Sequence, residues 1–238
     1  MHTIDCACLI HGDYYDWIYV DNLHKMISRN LSYPIRLHVF TEESRHVPEP
    51  YIKHTLKDWP GIAGHRKAWW YKMQMFDKCN FQGRLLYFDL DIVIVGNIDW
   101  IVQLSTDRFY AIRDFKHLWR GQWDGINSSI MYWDVPQFSK MYKAFTQHDL
   151  QTVMQQYPGD QDFISKHVDK AKLRYLDENR IKSFRWQVND GGLDFATKRV
   201  NRPNAGCVLP PNTSILIFHG NPKPHDVHDP IITKHWRD

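Results

Sequence analysis

Short apolar runs alternate with amphipathic stretches along the first half of the chain. Ile4 to Ile10 is rich in apolar residues and closes on a His11-Gly12-Asp13 turn, which predicts a buried strand. Asp16 stands as an N-cap before a helix reaching about Asn30, with Ile18, Leu23, Met26 and Ile27 on its inner face. Pro34 ends that segment. Ile35 to Phe40 then alternates Ile35, Leu37 and Val39 with Arg36 and His38, the period of a strand. A second helix is predicted over Ala68 to Cys79, and a strand over Leu85 to Phe88, closed by Asp89-Leu90-Asp91. The β-branched run Ile92 to Val95 follows at once, and Phe109 to Ile112 and Ser129 to Trp133 read as further strands. Helices are expected from Pro136 to about Phe145 and from Gln161 to His167, and a last strand from Ile215 to Phe218. Prolines gather after residue 200 (Pro203, Pro210, Pro211, Pro222, Pro224, Pro230), predicting loops and a tail wrapped on the domain. Strands alternating with helices across short connections predict an α/β sandwich around one main sheet. There is no internal repeat and no Gly/Ser or Pro-rich linker in the middle of the chain.

Composition narrows the class. The chain has 238 residues, a net charge of +3, and a hydrophobic fraction of 43% with 14% aromatics, which excludes a disordered chain. Lys and Arg are scattered, so charge makes no case for nucleic acid. The 14 His would add positive charge only in acid. No apolar run approaches the roughly 20 residues that span a bilayer. The N-terminal residues lack the basic and apolar regions of a signal peptide. A soluble, cytoplasmic protein is therefore expected. The 4 cysteines (Cys6, Cys8, Cys79, Cys207) are too scattered for a disulfide framework and are expected to be reduced.

Four segments carry candidate chemistry. Asp89 and Asp91 sit one residue apart within an apolar stretch, and burying two like charges so close is costly without a neutralising partner. In extended backbone both would face the same way, toward one divalent ion at the carboxyl end of a strand. Oxygen ligands suit Mg²⁺ or Mn²⁺; a solvated loop is the plain alternative. The run from Ile215 delivers His219, then Gly220 and, between two prolines, Lys223, a point charge suited to phosphate. An exposed turn would use the same residues. In Gly159-Asp160-Gln161-Asp162, Asp160 either caps a helix or faces a polar pocket with Gln161, and Asn127-Ser128-Ser129 is either a turn or a similar polar cluster. In the segment 65–72, Trp69, Met73 and Phe76 would share a helix face in the core, while Arg66 and Lys72 are the functional candidates. Gly-x-Gly-x-x-Gly, the Walker loop, His-Glu-x-x-His and Gly-x-Ser-x-Gly are absent.

The order of these segments resembles the GT-A nucleotide-sugar glycosyltransferases, especially glycosyltransferase family 8 and its small relatives, over nearly the whole chain. Leu-Tyr-Phe-Asp-Leu-Asp at 86–91 is similar to that family's Asp-x-Asp, and Phe-His-Gly-Asn-Pro-Lys-Pro at 218–224 to its late His-x-Gly-x-x-Lys-Pro motif. The resemblance implies a single GT-A, Rossmann-like domain over 1–238, with a mixed central sheet and flanking helices. Residues 1–95 would be mainly nucleotide-binding and 96–238 mainly sugar- and acceptor-binding. It implies that Asp89, Asp91 and His219 hold Mn²⁺ or Mg²⁺ against the donor diphosphate, with Gly220 and Lys223 on the phosphates. Asp160 would bind sugar hydroxyls, Gln161 would lie near the anomeric carbon, Asn127 would bind the sugar, Lys72 would supply a basic residue near the donor, and Tyr14 would stack on uracil. His225, Ser129 and His11 depart from residues common in the family.

The implied activity is metal-dependent transfer of a sugar from a UDP-linked donor to an acceptor hydroxyl, with retention of configuration. The acceptor stays open between a glycan, a lipid-linked sugar, a protein and a modified DNA base. The rival class is a nucleic-acid-binding module without transferase activity, built on the aromatic and basic segment 65–72.

Overall fold

The computed structural model of the chain describes residues 3–59, 61–62 and 65–237, with residues 65 and 66 described by their backbone alone. Its strands are β1 (Ile4–Leu9), β2 (Ile35–Thr41), β3 (Ile52–Thr55), β4 (Arg84–Phe88), β5 (Ile92–Ile94), β6 (Phe109–Arg113), β7 (Ile126–Asp134) and β8 (Leu173–Tyr175), followed by β9 (Ile181–Ser183), β10 (Leu193–Asp194), β11 (Arg199–Val200) and β12 (Ile215–Ile217). Among the described residues the main sheet has seven strands in the order β3-β2-β1-β4-β7-β6-β8. The strands β3, β2, β1 and β4 run parallel, β7 runs against both β4 and β6, and β8 is parallel to β6. A second sheet, β5-β12-β9, and a β10-β11 hairpin complete the strands.

The period-two pattern separates two cores. Cys6 and Cys8 of β1, Leu86 and Phe88 of β4, and Ile130 and Tyr132 of β7 face one side. Ala7, Leu85, Tyr87, Met131 and Trp133 face the other. On the first side α1 (Ile18–Asn30) covers the sheet with Tyr19, Val20, Leu23, Met26 and Ile27. Asp16 does not cap it by its side chain, and Ile18 is exposed rather than inward. The helix begins one residue later than an Asp16 cap would require, with Trp17 at the N-cap, and its inner face starts at Tyr19.

The short helices α2 (Asp99–Val102), α3 (Val135–Phe138), α4 (Lys140–Thr146), α5 (Leu150–Gln156) and α6 (Asp160–His167) follow in chain order. The single helix expected from Pro136 to Phe145 is thus two, α3 and α4, joined at Ser139. The segment His65–Phe76 is helical but wound as a 3₁₀-helix. Its shorter turn changes which residues share a face. Trp70, Tyr71, Met73, Met75 and Phe76 are buried, while Trp69 is 37% exposed. The expectation that Trp69 belongs to the core is therefore corrected.

The proline-rich end is also more ordered than a wrapped tail. It finishes in α7 (Pro230–Arg237), whose Ile232 and Trp236, four residues apart, are buried in the first core. Trp236 packs edge-on to Tyr19 of α1, ring centres 5.1 Å apart. All four cysteines are unpaired, Cys6 and Cys8 deep in the first core. Among the described residues no helix is long and apolar enough to cross a membrane.

Replacing Trp236 by Ala should lower the unfolding free energy by about 3–5 kcal/mol in urea titration, the usual cost of emptying a buried Trp site. Near the sheet edge, His38 Nδ1 and His54 Nε2 lie 2.8 Å apart, with His38 Nε2 3.0 Å from Asp5. Burial, with the charge of His38, lowers the His54 pKa to about 4. The unfolded chain therefore binds a proton that the folded chain refuses between about pH 6.5 and 4. Stability is full above that window and falls as pH drops through it. Chemical denaturation against pH should show this slope, and His54→Asn should reduce it, leaving the part that the buried His219 contributes over the same window.

Candidate active site

The parallel strands β1 and β4 end on the same edge of the sheet, which is where open α/β sheets bind ligands. The loop after β1 carries His11, Tyr14 and Tyr15 to this edge, and the turn after β4 carries Asp89 and Asp91. Because β7 runs antiparallel, its beginning lies there too: the Asp89 N–H donates to the Ser129 carbonyl at 2.8 Å, and the Ser129 N–H donates to Asn127 Oδ1 at 3.0 Å. In the second sheet β12 pairs with β5, so its end delivers His219 beside the turn, and the Phe218 N–H donates to the Asp91 carbonyl at 3.2 Å. Asp89-Leu90-Asp91 is a turn rather than the extended segment expected, with Leu90 buried in the first core. Both carboxylates still line one cavity.

Two ammonium groups answer the two carboxylates. Lys72, buried under the sheet edge, reaches Asp89 Oδ1 at 2.8 Å, Ser128 Oγ at 3.2 Å and Asp160 Oδ2 at 3.6 Å. The Ser128 hydroxyl donates to Asp160 Oδ2 at 2.7 Å, and the Tyr87 hydroxyl to Asp89 Oδ1 at 2.6 Å. Lys223 donates to Asp91 Oδ2, which also accepts the Tyr15 hydroxyl at 3.0 Å. Burial opposes the Lys72 charge, but Asp160 and Asp89 outweigh it and hold its pKa above the ordinary lysine value. Burial likewise pushes Asp89 up, yet Lys72 and the hydrogen bonds from Tyr87 and Ser129 keep it below the usual carboxylate range. Asp91 goes the other way: burial and the Asp89 charge raise it against the pull of Lys223. Asp160 is also raised, by burial first.

His219 is held differently. Its Nε2 lies 2.7 Å from Ser183 Oγ, and its ring sits against Trp186 (4.2 Å between centres) and Phe115 (5.4 Å). Burial, and then the Arg185 charge, lowers its pKa to about 4, so the imidazole is neutral at neutral pH. Gly220 follows at φ +74, a left-handed conformation that glycine adopts freely. Lys223 begins a short turn after the Asn221-Pro222 bond, its N–H donating to Asp226 Oδ2 at 2.9 Å.

Two cavities meet at the carboxylates. The first, about 420 Å³, runs past Tyr14, Tyr15, Gly220 and Lys223. The second, about 370 Å³, is lined by Asn127, Asp160, Gln161 and His219. Trp69, Lys72, Asp89 and Asp91 line both. Tyr14 is 45% exposed and stands edge-on to Tyr15. Every residue singled out from the sequence motifs therefore borders this paired space, except Arg66, whose side chain lies outside the described residues. Sequence reasoning missed Tyr15, Tyr87 and Ser183, and it assigned Trp69 to the core. Of these only Tyr87 had a legible signal, lying two positions before Asp89 on the same strand.

Asp89, Asp91 and His219 offer two carboxylates and a neutral imidazole, a donor set suited in chemistry to a divalent ion. Among the described residues no group of three or more such side chains is close enough to hold one. Lys223 and Tyr15 occupy Asp91, and Ser183 occupies the His219 nitrogen. Among the described residues of the segment 65–72, Trp70 and Tyr71 are buried and form no exposed ladder of stacking rings.

No protein-family model matches the sequence, and no curated protein is similar to it in sequence. Solved structures do match. An active-site mutant of LgtC superposes with a TM-score of 0.62 at 13% identity, covering 93% of this chain and 89% of that one. The galactosyltransferase LgtC in complex with donor and acceptor sugar analogs gives 0.59 at 14% identity, with the same coverage. The glycosyltransferase GlyE in Streptococcus pneumoniae gives 0.59 at 16% identity, covering 92% of this chain and 56% of that one. The fold of this chain is that of the GT-A-like glycosyltransferases, a mixed seven-stranded sheet between helices with its carboxylates at the shared strand ends.

Proposed function

We propose that the chain is a metal-dependent glycosyltransferase that moves a sugar from a UDP-linked donor to an acceptor hydroxyl with retention of configuration. The observation that carries this reading is the convergence of Asp89, Asp91, Lys72, Lys223 and His219 where two cavities meet, at the ligand-binding edge of a glycosyltransferase-like fold. The likeness to solved glycosyltransferases supports transfer of a sugar. The residues support the finer parts.

Tyr14 offers its exposed ring to the nucleobase at one end of the first cavity. Gly220 and Lys223 face the diphosphate, glycine allowing close backbone approach and lysine supplying charge. Asn127, Asp160 and Gln161 take the sugar in the second cavity. Nucleotide binding thus falls mainly on residues 1–95 and sugar and acceptor binding mainly on 96–238, with the late His219–Lys223 segment returning to the donor. Asp89, Asp91 and His219 are the residues that would hold Mn²⁺ or Mg²⁺, once Lys223 exchanges Asp91 for phosphate and Ser183 yields the imidazole nitrogen. A bound divalent ion supplies Lewis-acid stabilisation of the departing diphosphate. Lys223 adds a preplaced positive charge where negative charge develops. Gln161, an amide with no charge of its own, can hold a cationic sugar without trapping it as an ester.

Nucleotide sugars in a thermal-shift screen test this. A UDP-sugar with Mn²⁺ should stabilise the protein, by about 2.7 kcal/mol at a hundredfold excess over its dissociation constant, and EDTA should remove the effect. Asp91→Ala should lose that shift and lower both transfer and donor hydrolysis by about 100-fold or more. Full activity of Asp91→Ala in EDTA, or no response to any nucleotide, would overturn the reading. Replacing Lys72 by Met should cost about 3–5 kcal/mol in urea unfolding, because Asp89 and Asp160 would then be buried without their cation.

A further inference from the structure

A third cavity, about 390 Å³, adjoins the sugar side of the site. Gln161 and Asp162 line both it and the second cavity, so the two spaces share a polar wall. The outer wall is Trp123, and it is firmly built. Its indole Nε1 donates to Asp114 Oδ2 at 3.0 Å, and Asp114 Oδ1 accepts the Lys116 N–H at 3.0 Å. A side chain at Gly125 would bring its Cβ within 2.8 Å of that indole nitrogen, so only glycine leaves the ring in place. The Tyr175 hydroxyl holds the neighbouring Asp124 at 2.5 Å. Tyr157 forms another wall, edge-on to Phe163 at 5.2 Å and 3.2 Å from His167 Nε2 through its hydroxyl. Ser165 adds a hydroxyl.

The charge at this cavity is distinctive. Lys166 and Lys170 line it, are exposed, and make no ion pair or hydrogen bond among the described residues. Lys116 and Arg120 lie over the Trp123 ring at 4.8 and 5.5 Å. The acids that face them are engaged or set deeper: Asp114 by Trp123 and Lys116, Asp124 by Tyr175, and Asp162 on the wall shared with the sugar cavity. The part of the chain that builds this cavity has the same bias. Residues 108–238 carry 19 Lys and Arg against 14 Asp and Glu, whereas residues 1–107 carry 11 against 13.

We infer that this cavity is the acceptor site and that the acceptor is a saccharide bearing an acidic group, a phosphate or a carboxylate, held by Lys166 and Lys170; the inference rests on the glycosyltransferase reading above. Ring walls with hydroxyl, amide and carboxylate groups suit a sugar. The volume, at the small end of ligand sites, suits about two sugar rings. The acceptor hydroxyl would enter along Gln161 and Asp162. Its oxygen forms the new bond to the anomeric carbon, the bond to the diphosphate breaks with its electron pair leaving on the diphosphate oxygen, and the hydroxyl proton passes to that oxygen.

Calorimetric titration of the full chain, with and without UDP and Mn²⁺, would compare glucose, glucuronic acid and glucose 6-phosphate. At least one acid should bind about tenfold or more tightly than glucose, and the two acidic arms identify whether carboxylate or phosphate is preferred. The Lys166→Ala/Lys170→Ala variant should bring acid and neutral sugar close to parity, and Gly125→Val should weaken every sugar by displacing Trp123. Circular dichroism of each variant establishes that it is folded. Equal binding of all three sugars, a preference that survives in the double lysine variant, or an oligothymidylate that binds tighter than either acid would overturn the inference. UDP-sugar hydrolysis by the unmodified protein is read in parallel. Hydrolysis without acid preference removes the acceptor assignment alone. Acid preference without any nucleotide response overturns the acceptor role together with the glycosyltransferase reading, leaving only a saccharide site.

Discussion

Three carboxylates, Asp89, Asp91 and Asp160, are gathered at one sheet edge against two lysines, and much of the surrounding architecture exists to make that arrangement tolerable. A buried like-charge pair needs cations at contact distance, and cations so buried need more than one anion. Lys72 meets both demands by bridging Asp89 and Asp160. It can do so because the 3₁₀ segment His65–Phe76 carries it beneath the ends of β4 and β7 with hydrophobic neighbours on both sides. Lys223 completes the pairing from the far end of the chain. The cluster is thus compensated by the chain's own lysines.

Topology supplies the convergence. Parallel pairing of β1 with β4 places the tyrosine loop and the aspartate turn side by side, and the antiparallel β7 returns Asn127–Ser129 to the same edge. The separate β5-β12-β9 sheet exists to bring residues more than 120 positions away, His219 and Lys223, against Asp91. α7 then closes the first core by seating Trp236 against Tyr19, while the hydroxyl of that same Tyr19 meets His225. The C-terminal segment is therefore tied both to the core and to the site.

Much of the scaffold was readable in advance. The strands at Ile4, Ile35, Leu85, Phe109 and Ile215 emerged from apolar periodicity because each is flanked by buried layers that demand it. Departures occurred where packing overrides local preference. The short edge strand β3 has mostly exposed residues and so carries no apolar signature. Trp69 looked like a core residue at α-helical spacing but turns outward because the segment winds more tightly. α7 was hidden among prolines, although its Ile232 and Trp236 sit four apart.

The candidate site divides in the same way. Residue types made Asp89, Asp91, His219 and Lys223 candidates, each with a plain loop or turn as the alternative, and it was the resemblance of the two motifs to a known family that implied one shared site. The partners of those residues belong to tertiary structure. That Lys72 bridges two aspartates, that Ser183 holds His219, and that Trp123 walls a cavity beside Gln161 depend on contacts between segments tens of residues apart. Local sequence encodes which side chains are present and the period at which they repeat. Distances between remote side chains follow only from strand register and helix winding, and those are decided by the packing of the whole sheet.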